Sequence, residues 1–428
     1  MTSPAVTRPP QRRPLTLQAE PASPPPFALP AGHFAAAITW LTLASIGLVA
    51  IAPGLARGDF LNPHVFAVVH AVTLGVITTA IFGALYQFFP MALGVNARSV
   101  RAGFWGGALL TGGTATIVAG FWWWIPALQG IGWLAIFAAV GVQAWNLLPQ
   151  RRRATQGKVI GRYVSAGHIA LGLAMFLAAA RIGVSLGWWS VDRLGMIAAH
   201  FHLAALGFAT LTAVGVGSRM VPMFLVSHGT PDWPLRWIGP VALAGLVVFS
   251  AGEVAHVGTL STLGGLALVA AALLYLRLAY GYFRRRLRRR LDPGLAHVAA
   301  AFGWLALTTG LGLLLLAAPG VEPRWWAAYA VAALLGWLGL LILGILYKIL
   351  PFLMWMNIHG RRPNPPASVG ELLSPPWTWA SLTALVAGLL VTVPAIAVGL
   401  PTLAQVGAAI WLAGAFLVPS QYVRMLLR

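Results

Sequence analysis

The chain has 428 residues, of which 59 % are hydrophobic and 8 % charged, and its formal net charge is +20. Apolar stretches of twenty or more residues recur along it, which excludes a water-soluble globular protein and indicates a polytopic membrane protein. Cysteine is absent, which excludes disulfides, thiolate-held iron–sulfur clusters, covalent c-type haem and cysteine-held copper. A metal or haem would therefore need ligands from His, Met, carboxylates or the backbone.

The first thirty residues are rich in Pro and polar residues and contain no apolar core. We expect residues 1–30 to form a disordered cytoplasmic tail rather than a cleaved signal peptide. Residues 31–428 then form a single membrane domain.

Apolar runs bounded by Gly, Pro and Arg predict twelve transmembrane helices. The runs must be helical because a strand in lipid would need a closed barrel to pair its backbone groups. The predicted spans are 33–53, 64–90, 102–122, 127–147, 163–187, 195–226, 236–256, 259–283, 295–318, 326–356, 377–400 and 402–425. The fold class is therefore an all-α membrane protein.

One signature occurs three times, about 130 residues apart, on the second, sixth and tenth predicted helices. Its copies are Leu74-Gly75, Gly83, Gln87, Pro90; Leu206-Gly207, Gly215, Arg219, Pro222; and Leu335-Gly336, Gly344, Lys348, Pro351. Repeats at a fixed period indicate duplicated structural units. We expect three pseudo-symmetric four-helix units, about 33–150, 163–290 and 295–428, that pack as one body around the signature helices.

The basic residues fall on one side of the membrane if the N-terminus is cytoplasmic, with clusters at 98–101, 151–162, 284–290 and 361–362. This positive-inside asymmetry predicts that both termini lie in the cytoplasm and that the protein resides in the cell's inner membrane. The basic loops are expected to meet anionic lipid headgroups of the bilayer, and no nucleic-acid partner is expected.

Histidines at two equivalent places in the repeat suggest a bound cofactor. Five residues before the first signature glycine stand His70, His202 and, in the third copy, Val331. Two neutral imidazoles at one depth on neighbouring helices are what a six-coordinate b-type haem requires, and His200 beside them could ligate or hydrogen-bond. The alternative is a pair of core histidines satisfied by the backbone. His200 and His202 point to nearly opposite sides of their helix, so they cannot easily share one ion.

The other histidines are interpreted as ordinary. His33, His168 and His297 open the first helix of each unit at matching places, and His228 and His359 follow signature helices. All five are expected at the cytoplasmic interface, where an imidazole needs no ligand.

The sequence resembles the haem-copper oxidase superfamily, whose catalytic subunit has twelve helices in three pseudo-symmetric arcs. Residues 199–207 (AHFHLAALG) are similar to the family's His-x-His segment, in which the second His binds the low-spin haem and the first the catalytic haem. His70 with Gly83, Tyr86 and Pro90 is similar to a helix of the cbb3-type oxidases and nitric oxide reductases. The NnrS-type membrane proteins, which the resemblance links to nitric oxide, haem and copper, are the closer functional analogue.

The chain departs from that family at the second metal. The family's three copper or non-haem iron ligands have no counterpart, and the seventh helix offers only Glu253 and His256. A copper or non-haem iron site of His200, Glu253 and His256 is one hypothesis, and a structural Glu253 is the other. We therefore do not expect oxygen reduction to water by the oxidase mechanism.

The polar signature residues Gln87, Arg219 and Lys348 have two interpretations. They snorkel to the cytoplasmic interface, or the two cations line a path to the interior.

Two functions remain from sequence. The first is a haem-binding protein that transfers electrons or handles nitric oxide, and that would interact with a redox partner or a small gas ligand. The alternative is a transporter or channel without haem. Whether the protein is an enzyme stays open.

Overall fold

The computed structural model describes residues 23, 25–154, 156–190, 193–318, 320–363, 366 and 368–427. Almost all of the predicted tail lies outside these residues, as do Asp192, Arg428 and the arginines of the first thirteen positions. Within the described ranges the protein is helical and contains no strand.

Twelve helices are long and apolar enough to cross a membrane, as the sequence predicted. They are α1 Ala28–Ala56, α2 Pro63–Leu93, α3 Val100–Trp122, α4 Pro126–Arg153, α5 Lys158–Ser185, α6 Leu194–Leu225, α7 Pro234–Ala255, α8 Gly258–Arg284, α9 Pro293–Ala317, α10 Pro323–Arg361, α11 Pro375–Val398 and α12 Pro401–Leu427. Several begin with Pro in the first turn, where no backbone N–H is needed. The all-α membrane fold is thereby confirmed.

The three signature helices share an unusual backbone. α2, α6 and α10 each contain an eight-residue π-helical segment, Ala71–Thr78, Leu203–Thr210 and Ala332–Gly339. Each segment starts directly after the residue that the repeat aligned, namely His70, His202 and Val331. π-Helical turns are rare in proteins, and those that occur are often found at functional sites. The sequence repeat therefore coincides with a repeated backbone feature.

These three segments form the centre of the molecule, where each contacts the other two. Trp337 Nε1 of α10 donates a hydrogen bond of 3.0 Å to Thr210 Oγ1 of α6. On the outside, α12 packs against α1, and Trp411 Nε1 donates to Ser45 Oγ at 3.0 Å. The chain's last helix thus closes a ring around the signature helices, while the pseudo-symmetry of the three whole units stays a prediction.

The signature glycines are places of close helix contact. A Cβ at Gly83 or Gly344 would meet the Cβ of His33 or His297, and a Cβ at Gly215 would meet that of Tyr163. Tyr163 therefore packs against its signature glycine in the way that His33 and His297 pack against theirs. The sequence analysis matched His168, five residues further along α5, to His33 and His297, and the structure corrects this match to Tyr163.

Candidate functional site

The three histidines predicted to bind a cofactor lie where α2 and α6 change from α-helical to π-helical geometry. His70 is the last residue before the π-helical segment of α2, and His202 the last before that of α6. His200 lies two residues before His202, which on a helix is a rotation of about 200°. The two α6 histidines therefore point to different sides, as predicted.

His70 and His200 lie on one cavity between α2 and α6. Their ring centroids are 6.3 Å apart, and their ring planes differ by 32°. The cavity has a volume of about 50 Å³, and its other walls are mostly apolar. Phe121 of α3 stacks on the His70 ring at a centroid distance of 4.9 Å. The two imidazoles are thus held together in the membrane interior.

Backbone carbonyls determine which nitrogen of each ring carries the proton. His70 Nδ1 is 2.7 Å from the carbonyl oxygen of Phe66, and His200 Nδ1 is 2.8 Å from that of Ala174. A carbonyl only accepts, so each neutral ring donates from Nδ1 and keeps its lone pair on Nε2. Metal-binding histidines are typically oriented by this kind of hydrogen bond. Neither Nε2 has a hydrogen-bond partner among the described residues.

The separation of the two rings suits ligation of one metal ion from both sides. Metal–nitrogen bonds of about 2 Å, with the distance from Nε2 to the ring centre added on each side, give a centroid separation of about 6 Å. The observed 6.3 Å agrees. The cavity of about 50 Å³ holds an ion, whereas a porphyrin would require the lining side chains to move apart. The ligand atoms fit a haem iron; the present volume does not hold the whole macrocycle.

His202 lies on a different cavity, on the side of α6 that faces α10. Its Nδ1 donates to the carbonyl of Ala198 at 2.8 Å, and its Nε2 is 3.2 Å from the hydroxyl of Tyr329. Both residues line a cavity of about 100 Å³. The structure therefore does not bring His70 and His202 to one cavity. Of the predicted cofactor ligands, it brings together His70 and His200.

The proposed second metal set is not assembled. Among the described residues, no group of three or more His, Cys, Asp and Glu is placed to share an ion. His200 faces α2 and α5, whereas Glu253 and His256 lie at the end of α7, where His256 is exposed and caps the helix with φ of +56°. The described residues therefore do not assemble a site of His200, Glu253 and His256.

The histidines expected at the interface are mostly buried. His33 and His168 are each 5 % exposed, and His297 and His359 are fully buried. His33, His168 and His297 each donate from Nδ1 to the carbonyl four residues earlier, and their Nε2 atoms have no partner among the described residues. Neighbouring helices therefore cover these four histidines, whereas His228 is exposed; their position at the cytoplasmic interface stays a prediction.

Tyr329 is the main site residue that the sequence analysis missed. It stands two residues before Val331, just as His200 stands two before His202. A full alignment of the repeat would have shown Val68, His200 and Tyr329 at one position. That comparison was the available signal, since a tyrosine in an apolar helix has no signature of its own.

Lys348 belongs to an ion pair rather than to the interior. Its Nζ lies 2.7 Å from Asp292, which caps the start of α9 by accepting from the N–H of Leu295. Partial burial acts to raise the pKa of Asp292, but Lys348, the Leu295 N–H and Arg288 outweigh it and lower that pKa below its usual value. Arg219 is exposed, and Gln87 is buried beside Met91. None of the three lines either histidine cavity.

The fold and the site define a polytopic, all-helical membrane protein with a half-buried pair of histidines that could bind a metal. No protein-family model matches the chain, and no curated protein matches it either. Membership of the haem-copper oxidase superfamily stays a prediction from residues 199–207 and the segment around His70.

Proposed function

We propose that this protein binds b-type haem in the membrane, and that His70 and His200 would hold its iron. The observation that carries the proposal is the pair itself: two imidazoles with centroids 6.3 Å apart and free Nε2 lone pairs. The function we infer is electron transfer within the membrane or the handling of nitric oxide or another small gas ligand. His202, predicted as the partner of His70, is replaced in this role by His200.

Each residue of the site has a distinct task in this proposal. When bound, the haem iron would supply one-electron redox chemistry or a binding position for a gas. The carbonyls of Phe66 and Ala174 hold the two rings in the orientation that presents Nε2. Phe121 and the apolar walls exclude water, which favours the iron state of lower net charge.

A second candidate is a single copper or non-haem iron ion without a porphyrin. The cavity volume of about 50 Å³ favours it, because an ion needs no displacement of side chains. Two imidazoles are a small ligand set, which suits Cu(I) better than a divalent ion that needs four or more ligands. The transporter alternative gains no comparable support, because the ion pairs Arg288–Asp292, Arg324–Glu322 and Lys348–Asp292 lie near helix ends.

The deciding experiment is an absorption spectrum with metal analysis of the purified full-length protein. We expect a reduced-minus-oxidised haem signal that is lost in His70→Ala and in His200→Ala. His202→Ala serves as the matched control, since it removes an imidazole from the neighbouring cavity and should keep the signal. Stoichiometric copper without haem would select the second candidate. Absence of haem and of metal, or loss of the haem only in His202→Ala, would overturn the proposal.

A further inference from the structure

The second cavity of the molecule lies between α6 and α10 and is closed by α7, α8 and α9. Its volume, about 100 Å³, is twice that of the His70–His200 cavity. Leu206, Ile238, Phe249 and Leu268 contribute to its apolar walls. No Lys, Arg, Asp or Glu is among the described residues that line it. The cavity therefore suits an uncharged, largely apolar molecule that arrives from the bilayer.

At one place the cavity presents a hydrogen-bonded pair with a defined direction. His202 donates from Nδ1 to a carbonyl, so its Nε2 accepts, and the Tyr329 hydroxyl must be the donor across the 3.2 Å contact. The hydroxyl hydrogen of Tyr329 is thereby donated to His202, and the lone pairs of the hydroxyl oxygen remain available to accept a hydrogen bond. A ligand group beside Tyr329 should accordingly donate, as a hydroxyl does.

Elsewhere the cavity presents a hydroxyl group without a partner. Thr308 is 4 % exposed, and its hydroxyl has no hydrogen-bond partner in the described structure. The neighbouring Thr309, in contrast, donates to the carbonyl of Leu305 at 2.7 Å. Buried hydroxyls are normally hydrogen-bonded, so Thr308 points to a polar atom supplied from outside the chain. A ligand oxygen that accepts would satisfy it. Tyr275 also lines the cavity, but its hydroxyl lies beside Gly217, at the other end from His202.

We propose that this cavity binds the ring of a quinol-type molecule from the membrane, with a hydroxyl directed at Tyr329. A second ring oxygen would accept from Thr308, and the ring itself would pack beside Phe249, whose centroid is 4.5 Å from that of His202. Such a ring combines an apolar body with oxygens that both donate and accept, which is the pattern the walls offer. Binding of this ring does not depend on the proposed haem.

The position of the cavity suggests what the bound ring does. α6 alone separates it from the His70–His200 cavity, because His200 and His202 project to opposite sides of that helix. A helix with its side chains is about 10 Å across. A bound quinol would thus lie one helix away from the proposed haem. Its oxidation to the quinone would release two protons and two electrons, and the electrons would pass one at a time to the haem iron, which the redox partner or gas ligand of the proposed function would re-oxidise between the two steps. This role, unlike the binding, rests on the proposed function.

The test measures binding of a short-chain benzoquinol to the detergent-solubilised full-length protein by equilibrium dialysis under reducing, oxygen-free conditions. Gly312→Val should abolish saturable binding, since a Cβ at Gly312 lies 3.4 Å from Tyr329 Cε2 and valine would occupy the space beside that ring. Gly310→Val is the matched control on the same helix: its Cβ meets nothing within 4 Å, so binding should be unchanged.

A second variant keeps the test decisive if Gly312→Val does not fold. Tyr329→Phe retains the ring and removes the hydroxyl, and loss of one hydrogen bond should weaken binding about tenfold. Tyr280→Phe, on the exposed side of α8, should have no effect. Absence of saturable binding to the wild type, or equal binding to wild type and Tyr329→Phe, would overturn the proposal.

The two proposals fail separately. Quinol binding that persists in the His70→Ala/His200→Ala double variant supports the second cavity whatever the haem spectrum shows. A haem signal in a protein that binds no quinol would leave the proposed function standing and remove only this inference.

Discussion

His200 and His202 show how a difference of two positions along a helix separates two sites. Their rotation of about 200° around α6 sends one ring toward α2 and the other toward α10. The sequence predicted that the two would not share an ion, and the two cavities agree. It predicted His202 as the partner of His70, whereas the structure places His200 on the cavity of His70. The reason is that equal position in a repeat gives equal depth but not a facing orientation.

Asp292 provides a prediction at the residue scale. Asp292→Ala removes a helix cap and the partner of Lys348, so at pH 7 we expect a loss of about 1–2 kcal/mol of stability, the pair adding little because it is partly exposed. Asp292→Asn keeps a capping side chain and should lose less. Thermal unfolding in detergent measures both variants.

The pH dependence of that loss has a defined sign. Because the pKa of Asp292 is lowered in the folded protein, its stabilisation is present above the usual aspartate pKa and disappears as the pH falls through the lowered value. The difference between wild type and Asp292→Ala should therefore be largest near neutral pH and shrink in acid. Equal stability of the two proteins at pH 7 would refute the prediction.

At the scale of elements, the π-helical segments and their glycines form the contacts at the centre of the molecule. Each contacts the other two, and their glycines bring side chains of neighbouring helices close. Gly75 and Gly336 lie against the rings of Trp40 and Trp304, and Gly207 lies against Ala170. The large aromatic ring fits only because the glycine has no side chain.

We predict that Gly336→Ala is destabilising although alanine is the better helix former. Its Cβ would lie 2.6 Å from Cδ2 of Trp304, which is 5 % exposed and has no room to move away. Overpacking of this kind costs about 1–3 kcal/mol. The control is Gly303→Ala on α9, where a Cβ meets nothing within 4 Å, and which should be neutral or stabilising by up to about 1 kcal/mol. Denaturation in detergent compares them; equal effects would contradict the contact argument.

At the scale of the whole molecule, nine of the twelve described membrane helices surround the three signature helices, and one cavity lies on each side of α6. On the α1 side of α10, Trp411 of α12 is fully buried and lies beside Ser45 of α1 and near Gly339 of α10. Trp337 of α10, also fully buried, instead faces α6, where it contacts Thr210.

The orientation of this ring in the membrane is a further prediction. Loops with clustered arginines are retained on the cytoplasmic side, so reporter fusions after Arg153 and after Arg290 should both behave as cytoplasmic. A fusion after Trp188, between α5 and α6, should report the opposite side. If either of the first two reports that side, the proposed orientation is wrong.

The sequence by itself determined the class of fold and the ends of the twelve membrane helices to within six residues. The length of an apolar run and the Pro, Gly and Arg residues that flank it are local properties, and they decide where a chain can cross a bilayer. It also singled out His70, His200 and His202 through the repeat. Only the tertiary structure decided that His70 meets His200, that His202 meets Tyr329, and that Tyr163 takes the place expected for His168. Such pairings depend on the rotation and the shift of one helix against another. In an apolar chain, glycine contacts and ring packing between distant segments decide this rotation and shift, and no local sequence pattern encodes those contacts.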